Sequence, residues 1–401
     1  MTHSVNLPAI EGGTPVRANR LYFHRSPIDE SGVQAVAETL RSGWLTIGPK
    51  TEAFEAALAG YIGARHAIAV SSCSEAMFLA LKALGIGPGD EVITSALTFA
   101  STVHAIIHTG ARPVLADIET ETYGLDPADL EDRITSKTRA ILPVHFGGQA
   151  CRIDAILDLA GRHGLYVVED AAHSFGAAYR DRKIGTFGHI TTFSFYATKN
   201  LTTGEGGCLT FEDDRLEHVL RRLSYHGMSH DTWERYTDRG SWYYEVEIAG
   251  YKCNLNDILS SLGLSELPKV DERRDRRADI AARYIRALEP YPAVRLPRVR
   301  PGNLHTWHLF VICLDPNRLG LDRDGISKAL AAENISCSVH FIPIYKHPFF
   351  SPYLGPKDRF PVCDEYFSGC LSLPIYPGMA DEDVADVVTA LGKIISHYSK
   401  S

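Results

Sequence analysis

The residue with the clearest chemical potential in this sequence is a lysine at the end of an apolar segment. Lys199 follows a run that starts at Thr191 and contains Phe193, Phe195 and Tyr196. Partial removal from water lowers the pKa of a lysine amine, and the neutral amine can then form an imine with a carbonyl group. Most lysines are solvated surface charges, so Lys199 indicates a catalytic site only in combination with other motifs of the sequence.

Two acids and a histidine end a second apolar segment. Glu169 and Asp170 follow Val167 and Val168, and His173 stands three residues after Asp170. A carboxylate here can keep the nitrogen of a pyridine ring protonated, so that the ring withdraws electrons from a neighbouring carbanion. The same acids could instead cap a helix.

Two more segments carry groups suited to a ligand. Residues 71–75 open a predicted helix, where free N–H groups and the helix dipole favour an anion such as phosphate. Ser74 adds a hydroxyl there, although serine is also a favoured helix cap. Phe99, in the segment 98–101, could stack on a flat ring or pack in the core.

Hydrophobic patterning predicts the elements that position these groups. Short β-branched runs predict strands at 66–72, 91–95, 113–118, 140–145, 166–169, 191–196 and 207–212. Helical spacing predicts helices at 75–84, 101–109, 128–134, 153–163, 269–288 and 382–397. The alternation indicates an α/β protein with a mainly parallel sheet between helices. Ligands bind beyond the carboxyl ends of such strands, where all four segments lie.

Length and composition predict two domains. The chain has 401 residues, of which 45% are hydrophobic and 22% charged, which is typical of a globular enzyme with a large core. After about Leu267 a charged helix leads into Pro-rich connections and a final region of strands and helices. We therefore predict a large ligand-binding domain over 26–267 and a smaller α+β domain over 268–401. Residues 1–25 are expected to pack on the smaller domain.

The same composition argues against several classes of protein. A formal net charge of -8 provides no basic surface for nucleic acid. No run of 18 apolar residues could span a membrane, and Met1 to Gly13 lacks a secretion signal, so we expect a cytoplasmic protein. The eight scattered cysteines form no C-x-x-C pair, which favours reduced thiols over disulfides or zinc.

The sequence gives only weak support for a metal site or for a dinucleotide-binding site. His104 and His108 have metal-ligand spacing, but they lack the intervening glutamate of a zinc-protease helix and a third ligand, so we predict no metal site. The glycines of 85–89 have the wrong spacing for a dinucleotide site and lead into a strand.

In combination, these segments resemble the DegT/DnrJ/EryC1/StrS family of nucleotide-sugar aminotransferases, which depend on pyridoxal 5′-phosphate (PLP). The interval of 29 residues between Asp170 and Lys199 strengthens the resemblance. The similar segments are 42–49, 71–74, 169–173, 193–200, 250–254, 339–345 and 371–374. The resemblance implies fold type I, with a mainly parallel seven-stranded sheet sandwiched by helices in the large domain.

The resemblance also implies roles for residues around the cofactor ring. Lys199 corresponds to the catalytic Schiff-base lysine and Asp170 to the partner of the pyridine nitrogen. Phe99 corresponds to the aromatic residue over the ring face. His173 occupies the position beside the phenolic oxygen, where relatives often have glutamine.

Phosphate contacts and a dimer are implied in the same way. The backbone of Cys73 and the hydroxyls of Ser74 and Ser194 match phosphate-binding positions. Asn254 matches an asparagine that some relatives supply from the neighbouring subunit, so the resemblance implies a homodimer that completes the cofactor site.

The implied reaction is transamination through PLP and its aminated form PMP, with glutamate as donor. The implied acceptor is a nucleotide-linked 4-keto-6-deoxyhexose, aminated at C4 in amino-sugar biosynthesis. The asparagine form of 250–254 and the segment 226–233 favour this acceptor. Thr46, Trp242 and His340 are candidate sugar-binding residues, although Trp242 could pack in a dimer interface and His340 in the core.

Three alternatives stay open at this stage. Family members also aminate C3 of a sugar or a keto-inositol, and a regulatory protein could keep the PLP scaffold without turnover. The related dehydratases use PMP and have histidine in place of the lysine, so Lys199 argues directly against that activity.

Overall fold

The computed structural model describes residues 7–228, 243–355 and 358–400 and is built around a seven-stranded sheet. The strands of this sheet are β1 (His66–Val70), β2 (Glu91–Ser95), β3 (Arg112–Ala116), β4 (Thr138–Leu142), β5 (Tyr166–Asp170), β8 (Ile190–Ser194) and β9 (Gly207–Phe211). Two short strands between β5 and β8 are β6 (Ala178–Tyr179) and β7 (Arg182–Lys183).

The strand order is β1-β9-β8-β5-β4-β2-β3. Neighbours from β8 to β3 pair in parallel, whereas β9 runs antiparallel to both β8 and β1. Only β9 is therefore reversed, and the prediction of a mainly parallel seven-stranded sheet is confirmed.

Helices cover both faces of the sheet. They are α1 (Glu30–Ser42), α2 (Pro49–Ile62), α3 (Cys73–Ala83), α4 (Ala100–Thr109), α5 (Pro127–Asp132), α6 (Ile153–His163), α7 (Asp214–Ser224) and α8 (Asp257–Glu266). Successive strand residues point to opposite faces. Val167 accordingly packs in the core with α2 and α6, and Val168 packs in the core with α3 and α7.

Helix α3 begins almost directly after β1, because Ser72 caps it. The Ser72 Oγ accepts the N–H of Glu75 at 3.2 Å. The predicted start at residue 75 was therefore two residues late, and the interpretation of Ser74 as the cap was wrong.

The C-terminal part of the chain has its own antiparallel sheet and core. Its strands are β10 (Val294–Arg295), β12 (Phe310–Leu314) and β13 (Cys370–Leu373), and its helices are α9 (Val270–Leu288), α10 (Arg323–Ala332), α11 (Pro361–Gly369) and α12 (Asp381–Tyr398). β11 (Asn303–Leu304) pairs instead with β6 of the larger part. The domain boundary at 267/268 stays a prediction. Within the described ranges, no helix is long and apolar enough to cross a membrane.

A buried ion pair anchors the N-terminal segment to the C-terminal part of the chain. Lys393 Nζ lies 2.9 Å from Glu333 Oε1, and the two side chains are 4% and 0% exposed. The Glu333 carboxylate also accepts the N–H groups of Ala9 and Val16. One buried carboxylate thus joins α12, the end of α10 and the N-terminal segment.

We expect Lys393→Met to lower the free energy of unfolding by about 3–5 kcal/mol, because it leaves the Glu333 carboxylate buried without its cation. Urea denaturation measures this change. The matched control is Arg162→Met, which breaks the exposed pair with Glu131 and should cost less than about 1 kcal/mol. Equal losses in the two variants would contradict this account of the buried pair.

Candidate active site

A cavity of about 380 Å³ opens at the carboxyl edge of the large sheet. It is formed where β1, β2, β5 and β8 end, as expected for an open parallel sheet. The predicted site residues that line it are Cys73, Ser74, Phe99, Asp170, His173, Ser194, Lys199 and His340. The structure therefore brings the four segments together in one place.

Lys199 is held in a turn five residues after β8. Its N–H donates to the Tyr196 carbonyl at 2.9 Å. Burial lowers the pKa of the Lys199 amine to about 8, against the opposing attraction of the Asp170 carboxylate. Within 7–228, 243–355 and 358–400, this amine has no hydrogen-bond partner. A large fraction is therefore neutral near pH 8 and able to act as a nucleophile or a base.

Asp170 is the last residue of β5 and is only 5% exposed. Its carboxylate accepts hydrogen bonds from the Thr102 hydroxyl at 2.8 Å and the Ala172 N–H at 3.1 Å. Burial raises the pKa of Asp170, while these two hydrogen bonds act in the opposite direction. The carboxylate is thus fixed in one orientation at the cavity.

Glu169 points to the opposite face of the sheet from Asp170 and has a structural role. Its Oε2 lies 2.8 Å from His145 Nε2, and both side chains are fully buried. Because the Cys151 N–H donates to His145 Nδ1, the imidazole proton is on Nε2 and is donated to Glu169. Gly188 and Thr191 donate to the other carboxylate oxygen. Glu169 therefore joins β5 to β8, and neither acid caps a helix.

His173 lies at the wall of the cavity as a neutral imidazole. Its Nδ1 accepts the Gly147 N–H at 3.3 Å, which leaves the proton on Nε2. Burial, followed by the charge of Lys199, lowers the pKa of His173 well below its usual value. The ring stacks on Phe341 with centroids 5.7 Å apart. Its remaining N–H is thus available to a ligand oxygen.

The N-terminus of α3 also lines the cavity. Since Ser72 is the cap, the hydroxyl of Ser74 has no hydrogen-bond partner among the residues that the structure describes, and Ser194 faces the same space. A Cβ at Gly207 would lie 2.6 Å from the Cys73 nitrogen. Glycine at this position therefore lets β9 approach the first turn of α3 and keeps its N–H groups accessible.

Phe99 precedes α4 and is 60% exposed at the cavity, with its ring 5.9 Å from that of Phe341. An aromatic side chain this exposed does not serve the core. Its position is suited to stacking on a flat ligand.

Two predicted residues, Thr46 and Asn254, do not line the cavity in this single chain. Thr46 is exposed in the loop between α1 and α2, and its carbonyl accepts the Asp257 N–H. Asn254 forms a bridge with Val70 and accepts a hydrogen bond from Lys252. Trp242 lies outside the described residues, as does most of the segment 226–233.

His340 forms part of the wall contributed by the C-terminal region. Its Nδ1 lies 2.8 Å from the Ser372 hydroxyl, and its ring stacks on Phe23. Burial, followed by the charge of Lys199, lowers the pKa of His340 to about 4. It is therefore a neutral hydrogen-bonding group at neutral pH.

Sequence reasoning missed several residues in the cavity wall or directly behind it. Thr102 was hidden because its partner Asp170 is 68 positions away, although Thr98 and Thr102 are four residues apart, with hydroxyls 2.7 Å from each other. Tyr196, Glu205, His308 and Phe341 line the cavity itself. The available signal for His308 was a polar residue two positions before the apolar strand β12.

The paired histidines of α4 do not form part of a larger polar cluster. The rings of His104 and His108 have centroids 6.1 Å apart, and His104 packs on Phe349 and Phe350. In the part of the chain that the structure describes, no group of three or more His, Cys, Asp or Glu residues is arranged to hold a metal ion.

Several known proteins are similar to this chain in sequence and in fold. The model of the DegT/DnrJ/EryC1/StrS aminotransferase family matches residues 26–392. SpsC of Bacillus subtilis strain 168, a spore coat polysaccharide biosynthesis protein, is 51% identical over 370 residues, covering 92% of this chain and 95% of that protein.

Solved structures are similar over the same length. A Streptococcus pneumoniae protein assigned as a sugar aminotransferase, solved in PLP and PMP forms, has a TM-score of 0.88 and 29% identity, covering 94% of this chain and 99% of that one. S. venezuelae DesV, solved with a ketimine intermediate, has a TM-score of 0.83 and 35% identity, covering 91% and 94%. The prediction of PLP and PMP as cofactor forms is confirmed.

The residues around the cavity fit PLP chemically. The cavity has a buried carboxylate, an amine of lowered pKa and a neutral imidazole N–H on groups that converge on one space. Its lining also includes the hydroxyls of Ser74 and Ser194 beside a helix N-terminus, where the absence of a side chain at Gly207 leaves room for a phosphate. These are the donors and acceptors that a phosphorylated, hydroxylated pyridine requires.

The lowered pKa of Lys199 predicts its reactivity in the cofactor-free protein. An amine-directed acylating reagent should modify Lys199 at a rate that rises with pH and levels off above about pH 8, because only the neutral amine reacts. Mass spectrometry of peptides measures the rate, with the exposed Lys137 as internal standard. A Lys199 profile that follows that of Lys137 would contradict the assignment of a partly desolvated amine.

Proposed function

The chain belongs to the DegT/DnrJ/EryC1/StrS aminotransferase family and is a PLP-dependent sugar aminotransferase, and on this premise we propose its substrates and residue roles. The proposed reaction is transfer of an amino group from glutamate to C4 of a nucleotide-linked 4-keto-6-deoxyhexose. The observation that carries the assignment is the amine of Lys199, with its lowered pKa, in one cavity with the buried Asp170 carboxylate. Similarity to SpsC, a spore coat polysaccharide biosynthesis protein, supports carbohydrate biosynthesis as the setting.

Seven residues of one chain would hold the cofactor, and five of them would bind its phosphate or cover and anchor its ring. The backbone of Cys73 and the hydroxyls of Ser74 and Ser194 would bind the phosphate, Phe99 would cover the ring, and Lys199 would carry the cofactor covalently. When bound, PLP supplies an electron-withdrawing ring that stabilises negative charge on the carbon atom beside the transferred nitrogen.

Asp170 and His173 are proposed to interact with the ring nitrogen and the phenolic oxygen of the cofactor, respectively. The Asp170 carboxylate, held in one orientation by the hydrogen bond from Thr102, would keep a proton on the ring nitrogen. The His173 Nε2–H would donate to the phenolic oxygen, because the Nδ1 of His173 already accepts the Gly147 N–H. Both contacts favour withdrawal of electrons towards the ring.

Lys199 is the general base and acid of both half-reactions. Once the donor has replaced Lys199 on the bound cofactor, the freed amine would move a proton from the α-carbon of the donor to the cofactor. In the second half-reaction it would move a proton from the cofactor to the sugar carbon that receives nitrogen. A pKa near the working pH suits both directions, since the amine must alternate between the two protonation states. Such proton transfer contributes a factor of about 10² to 10⁴ to the rate.

The sugar is proposed to bind at the wall formed by the C-terminal region. His340 offers a neutral imidazole held by Ser372. Thr46 and Trp242 are proposed to complete this pocket.

The proposed enzyme is a homodimer in which Asn254 reaches the cofactor site of the second subunit. Asn254 is absent from the cavity lining of its own chain, and it lies on a segment with exposed aromatic and aliphatic neighbours. Those neighbours are Tyr243, Tyr244, Val246, Ile248 and Tyr251. Exposed apolar surface of this kind is typical of an interface.

The function is tested in two half-reactions followed by absorbance. Glutamate should convert the PLP form to the PMP form, and a nucleotide-linked 4-keto-6-deoxyhexose should convert it back, with the amino sugar identified by NMR. Lys199→Ala should lose at least about 10²-fold in rate, because it lacks the group that moves the proton.

The acceptor panel should include 3-keto sugars and a keto-inositol. If one of these acceptors converts the PMP form back to the PLP form faster than any 4-keto sugar does, C4 amination is refuted. No spectral change with any amino donor would instead favour a scaffold without turnover.

The dimer proposal predicts complementation between two inactive variants. Lys199→Ala and Asn254→Ala subunits, unfolded and refolded together, should regain up to about a quarter of wild-type activity, because half of the dimers are hybrids with one complete site. Each variant refolded alone is the control. Mixtures no more active than the separate variants would refute the contribution of Asn254 across the interface.

A further inference from the structure

His308 lies in the cavity but has none of the roles assigned above. It precedes β12 and is only 8% exposed, and its ring centroid lies 4.5 Å from that of His173. Its Nδ1 is buried and has no hydrogen-bond partner in the described part of the chain. Buried polar atoms are nearly always hydrogen-bonded. The His308 ring therefore lines a ligand cavity while making fewer hydrogen bonds than a buried imidazole normally makes.

The backbone around His308 is fixed to the same turn that orients His173. The carbonyls of Gly147 and Gly148 accept the N–H groups of Leu309 and Thr306, and the N–H of Gly147 donates to His173 Nδ1. A Cβ at Gly148 would lie 3.0 Å from the backbone nitrogen of His308. The two imidazoles are therefore held at a set distance by one glycine turn that links the large sheet to the C-terminal region.

His308 is also a neutral group in a cavity that contains little fixed charge. Burial, followed by the charge of Lys199, lowers the pKa of His308 well below its usual value. Among the residues described, the cavity lining includes no arginine, and Lys199 is its one lysine. Within one chain, an α-carboxylate in this space would therefore meet mainly neutral hydrogen-bond donors.

Neutral donors suit an enzyme whose two substrates occupy the same space in turn. The amino donor brings a carboxylate, whereas the sugar brings hydroxyls. A fixed guanidinium would stabilise the first but would remain buried without a counter-charge beside the second, which is costly. A neutral imidazole can donate to a carboxylate and can donate to or accept from a hydroxyl.

We propose that His308 binds both substrates, contacting the α-carboxylate of the amino donor in the first half-reaction and a hydroxyl of the sugar in the second. This inference rests on the proposed function and adds a specificity-determining residue to it. The contact is made by the imidazole itself, so it depends on ring nitrogens and not on ring volume.

The test compares His308→Phe with His308→Gln in the two half-reactions. The phenylalanine variant keeps a ring and loses both nitrogens, so half-saturating glutamate should rise about tenfold or more and half-saturating keto sugar about threefold or more. His308→Gln restores a donor and should recover most of both losses. The absorbance band of the bound cofactor should be the same in all three proteins.

His305→Phe is the matched control. His305 lies in the same segment and is equally buried, but it stacks on Trp307 and does not line this cavity. Its replacement should leave both half-saturating concentrations within about twofold of wild type, since no contact with substrate is lost.

A second readout isolates the carboxylate contact. The 1-amide of glutamate carries no α-carboxylate charge, so His308→Phe should weaken its use by the enzyme less than it weakens the use of glutamate. The inference is overturned if His308→Phe binds both substrates like wild type, or if His305→Phe shows the same losses. A wild-type enzyme that converts neither substrate would instead refute the proposed function itself.

Discussion

The partial burial of one amine beside one buried carboxylate is the constraint on which the rest of this structure depends. In water the amine of Lys199 would be protonated at neutral pH and unreactive; in the cavity its pKa falls to about 8. Asp170 would raise that pKa if it acted alone, so the burial supplied by the surrounding walls must outweigh it. Those walls come from both the large sheet and the C-terminal region, which is why the second part of the chain matters for reactivity as well as for substrate binding.

The parallel sheet meets this constraint by bringing distant segments to one edge. The strict alternation of side chains assigns neighbouring residues to separate tasks, so that Glu169 fastens β5 to β8 while Asp170 faces the cavity. The reversed strand β9 fits beside α3 because Gly207 carries no side chain. The same edge therefore offers an amine, a carboxylate and a helix N-terminus without any long-range loop.

The sequence predicted those parts of the site that depend on local pattern. Apolar runs ending in Lys199 and in Asp170 gave both the strands and the residues at their ends, because patterning and position after a strand are visible in one segment. The helix cap was placed at Ser74 instead of Ser72, since these two serines have equal propensity for the position and only the backbone decides between them. Thr102 and His308 were missed because each matters through a residue far away in the chain. Asn254 and Thr46 do not line the cavity of the single chain, so their roles stay predictions.

The most direct test of the central claim is borohydride reduction of the PLP-loaded enzyme, followed by digestion and identification of the modified peptide by mass spectrometry. If Lys199 is the amine that carries the cofactor, reduction fixes the cofactor on Lys199 and abolishes its visible band. A cofactor trapped on another lysine, or a loaded enzyme with no reducible bond, would contradict the account.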